Sequence, residues 1–392
     1  GSACGGLMGI PNGHMFRMSA IPPGKNPVEM AGPKVKGTLD IRMRVMKRVH
    51  INTIFDAILK GKAGGYPADI KMMWSMCNNY INQTGNSNKA DQALKQLEFL
   101  AVNELFMTAT ARYADIVLPV TSAAERADLT RPWPSGPYFT FMNRALEPLG
   151  ECKSDLDIAA ELAERLGIEN FNPFTENDIL RMFVEQNPET AKLIPDFDTF
   201  RKDGIHRVKL EKPIIAFQKQ IEDPDNHPFD TPSGKIEIFS QRVADMDHPL
   251  CPPIPKYMQV PEDRSDPLFG KYPLQLLTPH PRNRVHSELY KVEWLREVEL
   301  HQAWINPVDA EARGITDGDD IMVFNDRGRV AIPARVTERI RPGVISIFEG
   351  TWYQPDKNGI DQGACANTLT RDAYSGGGAA VLNTTLVQAE KA

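Results

Sequence analysis

The chain alternates between short apolar runs and helix-sized segments, beginning with IKMMW at residues 70–74. Beyond this run, residues 90–97 have the pattern of a helix, FLAV at residues 99–102 is a second apolar run, and IVLP at residues 116–119 is a third. Residues 108–113 are long enough for a further helical segment. Apolar strands that alternate with helices predict a parallel sheet covered by helices, and therefore an α/β fold.

Polar residues directly follow the ends of these three apolar runs. Asn78 follows the first run, Asn103 and Glu104 follow the second, and Thr121 follows the third. In open α/β sheets, ligands bind beyond the carboxyl ends of the strands. These residues are therefore candidates for a ligand-binding edge.

Length and charge narrow the classes of function. The 392 residues suffice for two or three domains of about 100–200 residues each. With 45 Lys and Arg against 51 Asp and Glu, the net charge of −6 disfavours a general role in binding nucleic acid or anionic membranes. The hydrophobic content of 41% is typical of a globular protein and argues against disorder. No apolar run approaches the roughly 20 residues of a membrane-spanning helix.

The cysteine pattern excludes two kinds of metal site within this chain. The five cysteines lie far apart, at Cys4, Cys77, Cys152, Cys251 and Cys365. Because none forms a CxxC or CxxxC pair, the chain carries neither an iron–sulfur nor a structural zinc signature. The odd number also argues against a disulfide framework.

The middle of the chain changes from helical patterns to a region rich in proline and charge. A helix is predicted after Lys153, with Ser154 or Asp155 as its N-cap, and a second helix covers residues 176–186. We interpret residues 187–262 as a connecting region. Within that region, the alternation of residues 234–239 predicts one half-buried strand.

The last part of the chain has the pattern of a β-barrel. Residues 274–277 form a predicted strand, and residues 320–324 and 329–336 form two strands that meet across a tight turn. A short helix is predicted over residues 306–313. Short strands, tight turns and one small helix predict a β-barrel with an inserted helix.

A polar segment, TPHPRNRVHS at residues 278–287, directly follows the first of these strands and is called the polar loop. One interpretation is a loop that caps the end of a barrel. The other is a site for an anion or a heterocycle, because arginine donates two hydrogen bonds to phosphate and hydroxyl groups add neutral donors. The spacing of His280 and His286 is unlike that of zinc sites, and the sequence places no third ligand nearby.

Three charged residues lie near the predicted edge of the sheet. Glu125 and Arg126 follow the third strand, and Asp155 begins a helix. Each is individually typical of a surface charge or a helix cap, but together they favour a nucleotide site. The chain contains no GxGxxG after the first strand, no GxxxxGK[ST] and no GxSxG, so neither a common NAD or P-loop site nor a nucleophile elbow is supported.

Several segments, in the same order, resemble the molybdopterin oxidoreductases. Residues 98–119 are similar to the family segment that ends in TAxxADxxLP. KSDL at residues 153–156 also resembles a segment of this family, and the polar loop is similar to the family's HPxxRxHS loop. Residues 306–319 resemble the start of the family's C-terminal barrel, and ANTLT and NTTLVQ, beginning at Ala366 and Asn383, resemble its end. The polar loop and the tail most resemble catalytic subunits of the anaerobic dimethyl sulfoxide reductase type.

The resemblance implies an α/β fold in which a Rossmann-like parallel sheet with helices is followed by a C-terminal double-psi β-barrel. The corresponding domains are a partial N-terminal segment at residues 1–65, a dinucleotide-binding domain at 66–186, the connecting region at 187–262 and the barrel at 263–392. The implied cofactor is molybdenum bis(molybdopterin guanine dinucleotide), bound between Rossmann-like domains and the barrel.

The resemblance also assigns cofactor contacts residue by residue. Asn78 or Asn79 lies at the first strand end, and Asn103 and Glu104 face a guanosine. Arg126 matches a basic cofactor contact, and Asp155 matches a guanine-binding carboxylate. The residues that wrap the pterin and the pyrophosphate are Thr278, His280, Arg284, His286 and Ser287. The residues that close the barrel side are Asn367 and Asn383.

In this family, the residue that binds molybdenum and any iron–sulfur cluster belong to an N-terminal part that this chain does not match. We therefore expect the chain to be roughly the C-terminal half of a catalytic subunit, with no catalytic or metal-binding residue of its own, and to be inactive alone. The resemblance implies an S-oxide or N-oxide substrate, an iron–sulfur electron-transfer subunit, a membrane anchor subunit and no nucleic acid. It also implies a bacterial enzyme that is periplasmic or associated with the cytoplasmic membrane. The alternatives are a relative acting on formate, nitrate, polysulfide or selenate, and a non-catalytic pterin-binding module.

Overall fold

The computed structural model describes residues 49–66, 68–130, 138–169, 171–186, 191–210, 215, 217–247, 249, 251–375 and 379–392. The chain forms two compact units. Of the described residues, the central unit contains those of Pro119–Ile238, and the composite unit joins those up to Leu118 to those of Phe239–Ala392. Of the predicted N-terminal segment, residues 1–48 lie outside the described residues, and the predicted domain boundaries stay predictions.

The strands of the described residues are β1 (Met72–Met76), β2 (Phe99–Glu104), β3 (Ile116–Pro119), β4 (Asp128–Thr130), β5 (Tyr138–Met142), β6 (Ile205–Arg207), β7 (Leu274–Leu277), β8 (Ala303–Ile305), β9 (Asp320–Phe324), β10 (Arg329–Val336), β11 (Val344–Ser346), β12 (Ile360–Asp361) and β13 (Thr385–Lys391).

The α-helices of the same residues are α1 (Ile54–Lys60), α2 (Tyr80–Gln83), α3 (Ser87–Gln96), α4 (Asp155–Arg165), α5 (Glu176–Glu185), α6 (Phe197–Asp203), α7 (Gln218–Glu222), α8 (Gln241–Ala244), α9 (Glu293–Val298) and α10 (Pro307–Glu311). Short 3₁₀ helices cover Ile51–Thr53, Gly61–Gly64, Ala111–Tyr113, Ala123–Glu125, Pro267–Gly270 and Ala366–Thr368. Across these ranges, no helix has both the length and the apolarity needed to cross a bilayer.

The first sheet has the strand order β1-β2-β3. β1 and β2 pair in parallel, with Met72 opposite Phe99 and Met76 opposite Asn103. Asn86 caps helix α3, and its side chain accepts a hydrogen bond from the backbone N–H of Lys89. The buried residues of α3 pack in one core with those of β2. The parallel sheet with helices is confirmed. Between β2 and β3, the predicted helical segment is reduced to the 3₁₀ helix Ala111–Tyr113.

The C-terminal part forms a closed barrel of six strands in the order β10-β8-β11-β7-β13-β9, with β9 pairing back to β10. The pairs β10–β8 and β11–β7 are parallel, and the other pairs in the ring are antiparallel. Alternate residues of β10 point inward, so Val330, Ile332 and Ala334 are buried in the barrel core. The inserted helix is α10, which begins at the Asn306 cap. The predicted fold class is confirmed.

The central unit contains an antiparallel sheet in the order β4-β5-β6, which the sequence pattern did not predict. Phe141 on β5 packs edge to face against Phe197 of α6, with ring centroids 5.4 Å apart. Part of the predicted connecting region therefore contributes to a hydrophobic core. The strand predicted at residues 234–239 is wrong: Ile236 and Ile238 are exposed, and within the described ranges no strand pairs with this segment.

Candidate functional site

The end of β1 carries both asparagines that the sequence left as alternatives. Asn79 is buried, and its Oδ1 accepts hydrogen bonds from the N–H and the hydroxyl of Thr110 at 3.1 and 2.9 Å. Its Nδ2 donates to Ser287 Oγ at 3.2 Å, so Asn79 connects the parallel sheet to the polar loop. Asn78 differs, because its Oδ1 is buried and accepts no hydrogen bond within the described residues.

The two candidates at the end of β2 contact neighbouring groups of the protein. Asn103 is buried, and its Oδ1 accepts a hydrogen bond from the indole N–H of Trp74 at 2.8 Å. The carboxylate of Glu104 accepts from the backbone N–H of Leu105 at 2.8 Å and from the Thr108 hydroxyl at 3.4 Å. Both side chains therefore stabilise the strand end and the loop that follows it.

The backbone of the polar loop is held by residues 349–352, called the supporting segment. The backbone N–H of Glu349 donates to Pro279 O at 3.1 Å, and the indole of Trp352 donates to Ser287 O at 2.9 Å. At Gly350, φ is +86°, and a Cβ would lie 1.7 Å from His286 O, so only glycine fits. His286 itself has φ of +49°, which is uncommon for a residue with a side chain.

Glu349 brings the two histidines of the polar loop together. Its Oε1 lies 2.8 Å from His280 Nδ1 and 2.9 Å from His286 Nδ1, and the ring centroids are 4.6 Å apart. The expectation that no third group lies nearby is wrong, because chain folding brings in a residue 63 positions away from His286. The rule that polar residues follow strand ends could have identified Glu349, which lies shortly after β11.

Arg284 and His301 are two half-buried basic residues of the composite unit. Arg284 Nη2 donates to Glu349 O at 3.3 Å, its guanidinium lies 5.6 Å from the Tyr290 ring centroid, and burial lowers the pKa of this side chain. Burial lowers the pKa of His301 to about 4. His301 is therefore neutral at pH 7, with Nε2 3.1 Å from Ala364 O and a buried Nδ1 that has no partner among the described residues. Sequence reasoning passed over His301, because a lone histidine carries no motif.

The remaining barrel candidates form two separate contacts. The hydroxyl of Thr278 donates to Asn383 Oδ1 at 3.0 Å, which joins the polar loop to the segment before β13. Asn367 Nδ2 donates to Asn82 O at 2.6 Å and so connects the barrel part to α2. Thr384, next to Asn383, has a buried hydroxyl without a partner in the described ranges.

Arg126 and Asp155 belong to the central unit. Arg126 Nη2 lies 3.3 Å from Asp128 Oδ2, and its buried Nε has no partner among the described residues. Asp155 is the first residue of α4, and Ser154 is the N-cap. Glu125 has a structural role: hydrogen bonds from the backbone of Ser122 and Leu149 hold its carboxylate and lower its pKa.

The composite unit offers several hydrogen-bonding atoms to a polar heterocyclic ligand. Buried polar atoms normally have partners, and leaving one unpaired costs about 1–3 kcal/mol. Asn78 Oδ1, His301 Nδ1 and Thr384 Oγ are such atoms, and each can accept a hydrogen bond from a ring N–H. Arg284 adds a charged donor suited to phosphate. This set fits a pterin dinucleotide, whose rings carry N–H donors and whose linker is a pyrophosphate.

Two protein families match the chain. "Molybdopterin oxidoreductase" matches residues 42–165, and "Molydopterin dinucleotide binding domain" matches residues 274–382. The second match includes the polar loop and the supporting segment. Together the two matches support molybdenum bis(molybdopterin guanine dinucleotide) as the cofactor.

Curated relatives and a solved structure show the same likeness. The chain is 39% identical over 319 residues to dimethyl sulfoxide reductase DmsA of Escherichia coli (strain K12), covering 77% of this chain and 39% of the relative. It is 36% identical to the dimethyl sulfoxide/trimethylamine N-oxide reductase of Cereibacter sphaeroides, covering 80% and 40%. Acetylene hydratase from Pelobacter acetylenicus has the same fold, with a TM-score of 0.70, 23% identity and coverage of 88% and 47%.

The chain spans about two fifths of the length of these curated relatives. The order of the matched segments, the parallel sheet and the closed barrel all agree with the resemblance found in the sequence. The chain therefore belongs to the molybdopterin oxidoreductase family.

Proposed function

We propose that this chain is the C-terminal, cofactor-binding part of a molybdenum enzyme that reduces an S-oxide or N-oxide of the dimethyl sulfoxide type by oxygen-atom transfer. The observation that carries the proposal is the identity of 35–39% to relatives named as dimethyl sulfoxide or trimethylamine-N-oxide reductases. The geometry of the polar loop supports the cofactor-binding role, because its basic side chains converge within one supported loop.

The chain's own contribution is to bind and orient the cofactor. When bound, the molybdenum cofactor supplies the two-electron oxygen-atom transfer chemistry. The polar loop would hold the pterin and the pyrophosphate, with Arg284 supplying positive charge and Asn79 fixing the Ser287 hydroxyl. In the central unit, Arg126 and Asp155 would contact the guanine dinucleotide.

The intact enzyme is proposed to work with an iron–sulfur electron-transfer subunit and a membrane anchor subunit. Its proposed location is the periplasm or the cytoplasmic membrane of a bacterium. The relatives named above are reductases of bacteria, which supports a bacterial source. Affinity purification of the enzyme from separated cell fractions tests them: recovery from the cytosol without companion subunits would contradict both.

The reaction is tested on the enzyme that contains this chain. We expect the purified enzyme to contain molybdenum and guanine nucleotide, and to oxidise a reduced viologen dye with dimethyl sulfoxide or trimethylamine N-oxide. We expect slower turnover with nitrate, selenate or polysulfide and no oxidation of formate. The 392-residue chain alone should show no turnover. A molybdenum-free protein that binds pterin but reduces neither oxide would reject the enzyme function.

Arg284→Ala provides a point test of the polar loop. Removing a half-buried cation that is proposed to contact the pyrophosphate should lower the molybdenum content of the enzyme by about tenfold, because a charge-assisted hydrogen bond is worth about 1.5–3 kcal/mol. Arg284→Lys should retain part of the cofactor. The matched control is Arg335→Ala, which removes an exposed cation paired with Asp317 and should leave the content unchanged. Full cofactor retention in Arg284→Ala would remove Arg284 from the site.

A further inference from the structure

We propose that Glu349 is the positioning residue of the polar loop: its hydrogen bond to His286 Nδ1 sets the tautomer of that ring and leaves Nε2 available to the bound ligand. This inference rests on the proposed function, since the ligand is the cofactor, whose pterin N–H groups can donate to Nε2. Neither the sequence motif nor the family matches assign a role to Glu349.

The carboxylate of Glu349 contacts both rings, and its contact with His286 is a hydrogen bond. Oε1 lies 2.9 Å from His286 Nδ1 in that bond, and 2.8 Å from His280 Nδ1 in a close contact. A ring nitrogen without a proton would direct its lone pair at a negative oxygen. His286 Nδ1 must therefore carry a proton, and in the neutral ring Nε2 becomes the acceptor.

The two histidine side chains are more exposed than the carboxylate that they contact. The side chains of His280 and His286 are 60% and 66% exposed, whereas that of Glu349 is only 25% exposed. The carboxylate lies at the base of the pair, and the rings extend outward from it. This arrangement resembles the second shell of metal-binding histidines, in which a carboxylate on one nitrogen fixes the ring so that the other nitrogen meets the ligand.

The backbone of Glu349 is itself held by hydrogen bonds to the polar loop. Its N–H donates to Pro279 O at 3.1 Å, and its O accepts from Arg284 at 3.3 Å. The next residue, Gly350, packs directly against the backbone of His286. Glu349 therefore contacts the polar loop through both its side chain and its main chain, and the carboxylate is held in place for both rings.

The same three side chains could also be read as metal ligands, since their ligand atoms lie within 4.8 Å of one another. The observed separations favour hydrogen bonds. A zinc ion needs each nitrogen and oxygen about 2.0–2.2 Å from the metal, and the nitrogens must be deprotonated. Here both Nδ1 atoms contact the carboxylate oxygen directly.

The test of the tautomer uses the 392-residue chain labelled with ¹⁵N-histidine. We expect the nuclear magnetic resonance shifts of wild-type His286, assigned from His286→Gln, to report Nδ1–H. Glu349→Ala should move this ring to mainly Nε2–H, and Glu349→Asp should restore Nδ1–H in part. The exposed Glu338→Ala is the matched control and should change nothing. An unchanged His286 tautomer in a folded Glu349→Ala chain would overturn the proposal, and so would stoichiometric zinc bound to the wild type.

A second measurement separates this inference from the proposed function. A ring that is already held in one orientation loses less conformational freedom when a ligand binds at Nε2. Calorimetry with guanosine diphosphate measures that binding. We expect Glu349→Gln to bind about tenfold more weakly than wild type. No binding to any variant would count against the proposed function, while the His286 tautomer would still decide the role of Glu349.

Discussion

Two groups of polar residues in the composite unit differ in how their hydrogen bonds are used. The strand-end group, Asn79 and Asn103, makes its hydrogen bonds to the protein itself, at Thr110 and Trp74. The polar loop instead presents largely exposed rings on a carboxylate base. Residues of the same polar character thus differ in use: the first group fixes the framework, and the second leaves exposed side chains that the proposed function assigns to the ligand.

The physical basis of the difference is burial. A buried amide must find partners within the protein, because losing water without replacement costs about 1–3 kcal/mol. An exposed imidazole keeps its water until a ligand displaces it, so it can remain open at little cost. We therefore expect substitutions in the framework to act mainly on the free energy of unfolding, and substitutions in the polar loop to act mainly on ligand binding.

The largest expected effect is at Gly350, where the framework meets the loop. Gly350→Ala should lower the free energy of unfolding by about 4 kcal/mol, through the positive φ at about 1–2 kcal/mol and through overpacking against His286 O at about 1–3 kcal/mol. Urea denaturation of the 392-residue chain measures this loss.

Gly359→Ala is the matched control for Gly350→Ala. Gly359 also has a positive φ, of +76°, but a Cβ there meets nothing within 4 Å. It should therefore show only the conformational cost of about 1–2 kcal/mol. Equal losses in the two variants would show that the close approach between Gly350 and His286 carries no energy.

The next effect is at Asn79, in the strand-end group. Asn79→Ala leaves the buried Thr110 N–H without its acceptor and removes the bond to Ser287, so the free energy of unfolding should fall by about 3 kcal/mol. The exposed Asn358→Ala should change it by less than about 0.5 kcal/mol. If Asn79→Ala weakened guanosine diphosphate binding and left stability unchanged, Asn79 would belong with the ligand-facing group.

The sequence predicted the architecture more completely than the site. Alternating apolar runs predicted the parallel sheet, and short strands with tight turns predicted the barrel, because both patterns depend on local periodicity. The strand predicted at residues 234–239 failed for the opposite reason: alternation alone supplies no partner strand. The antiparallel sheet of the central unit was missed because β6 has only three residues.

Within the site, the sequence predicted which residue types gather but not which contacts they make. The polar loop was found because its basic residues are contiguous. Glu349 and His301 were missed because they reach the loop only through the fold. The choice between Asn78 and Asn79 also required the structure, since only the three-dimensional contacts show that Asn79 is engaged and Asn78 Oδ1 is not.

His301 falls between the two groups, because it is half-buried and its buried Nδ1 has no partner among the described residues. Its pKa is lowered from 6.5 to about 4, so the unfolded chain binds its proton more tightly than the folded chain. The contribution of neutral His301 to the free energy of unfolding is therefore fully present above about pH 6.5, and it is lost as the pH falls towards 4. The loss should be on the order of 2 kcal/mol between pH 7 and pH 4.5.

Replacing His301 with glutamine should remove that part of the pH dependence while keeping a side chain that can hydrogen-bond to Ala364 O. Urea denaturation at pH 7 and pH 4.5, with the exposed His227→Gln as the control, isolates the contribution of His301. If the two variants had the same pH slope as wild type, His301 would be solvated and its Nδ1 already paired with water. A reduced slope in His301→Gln alone would instead assign His301 to the framework, with a single acceptor left open for the ligand.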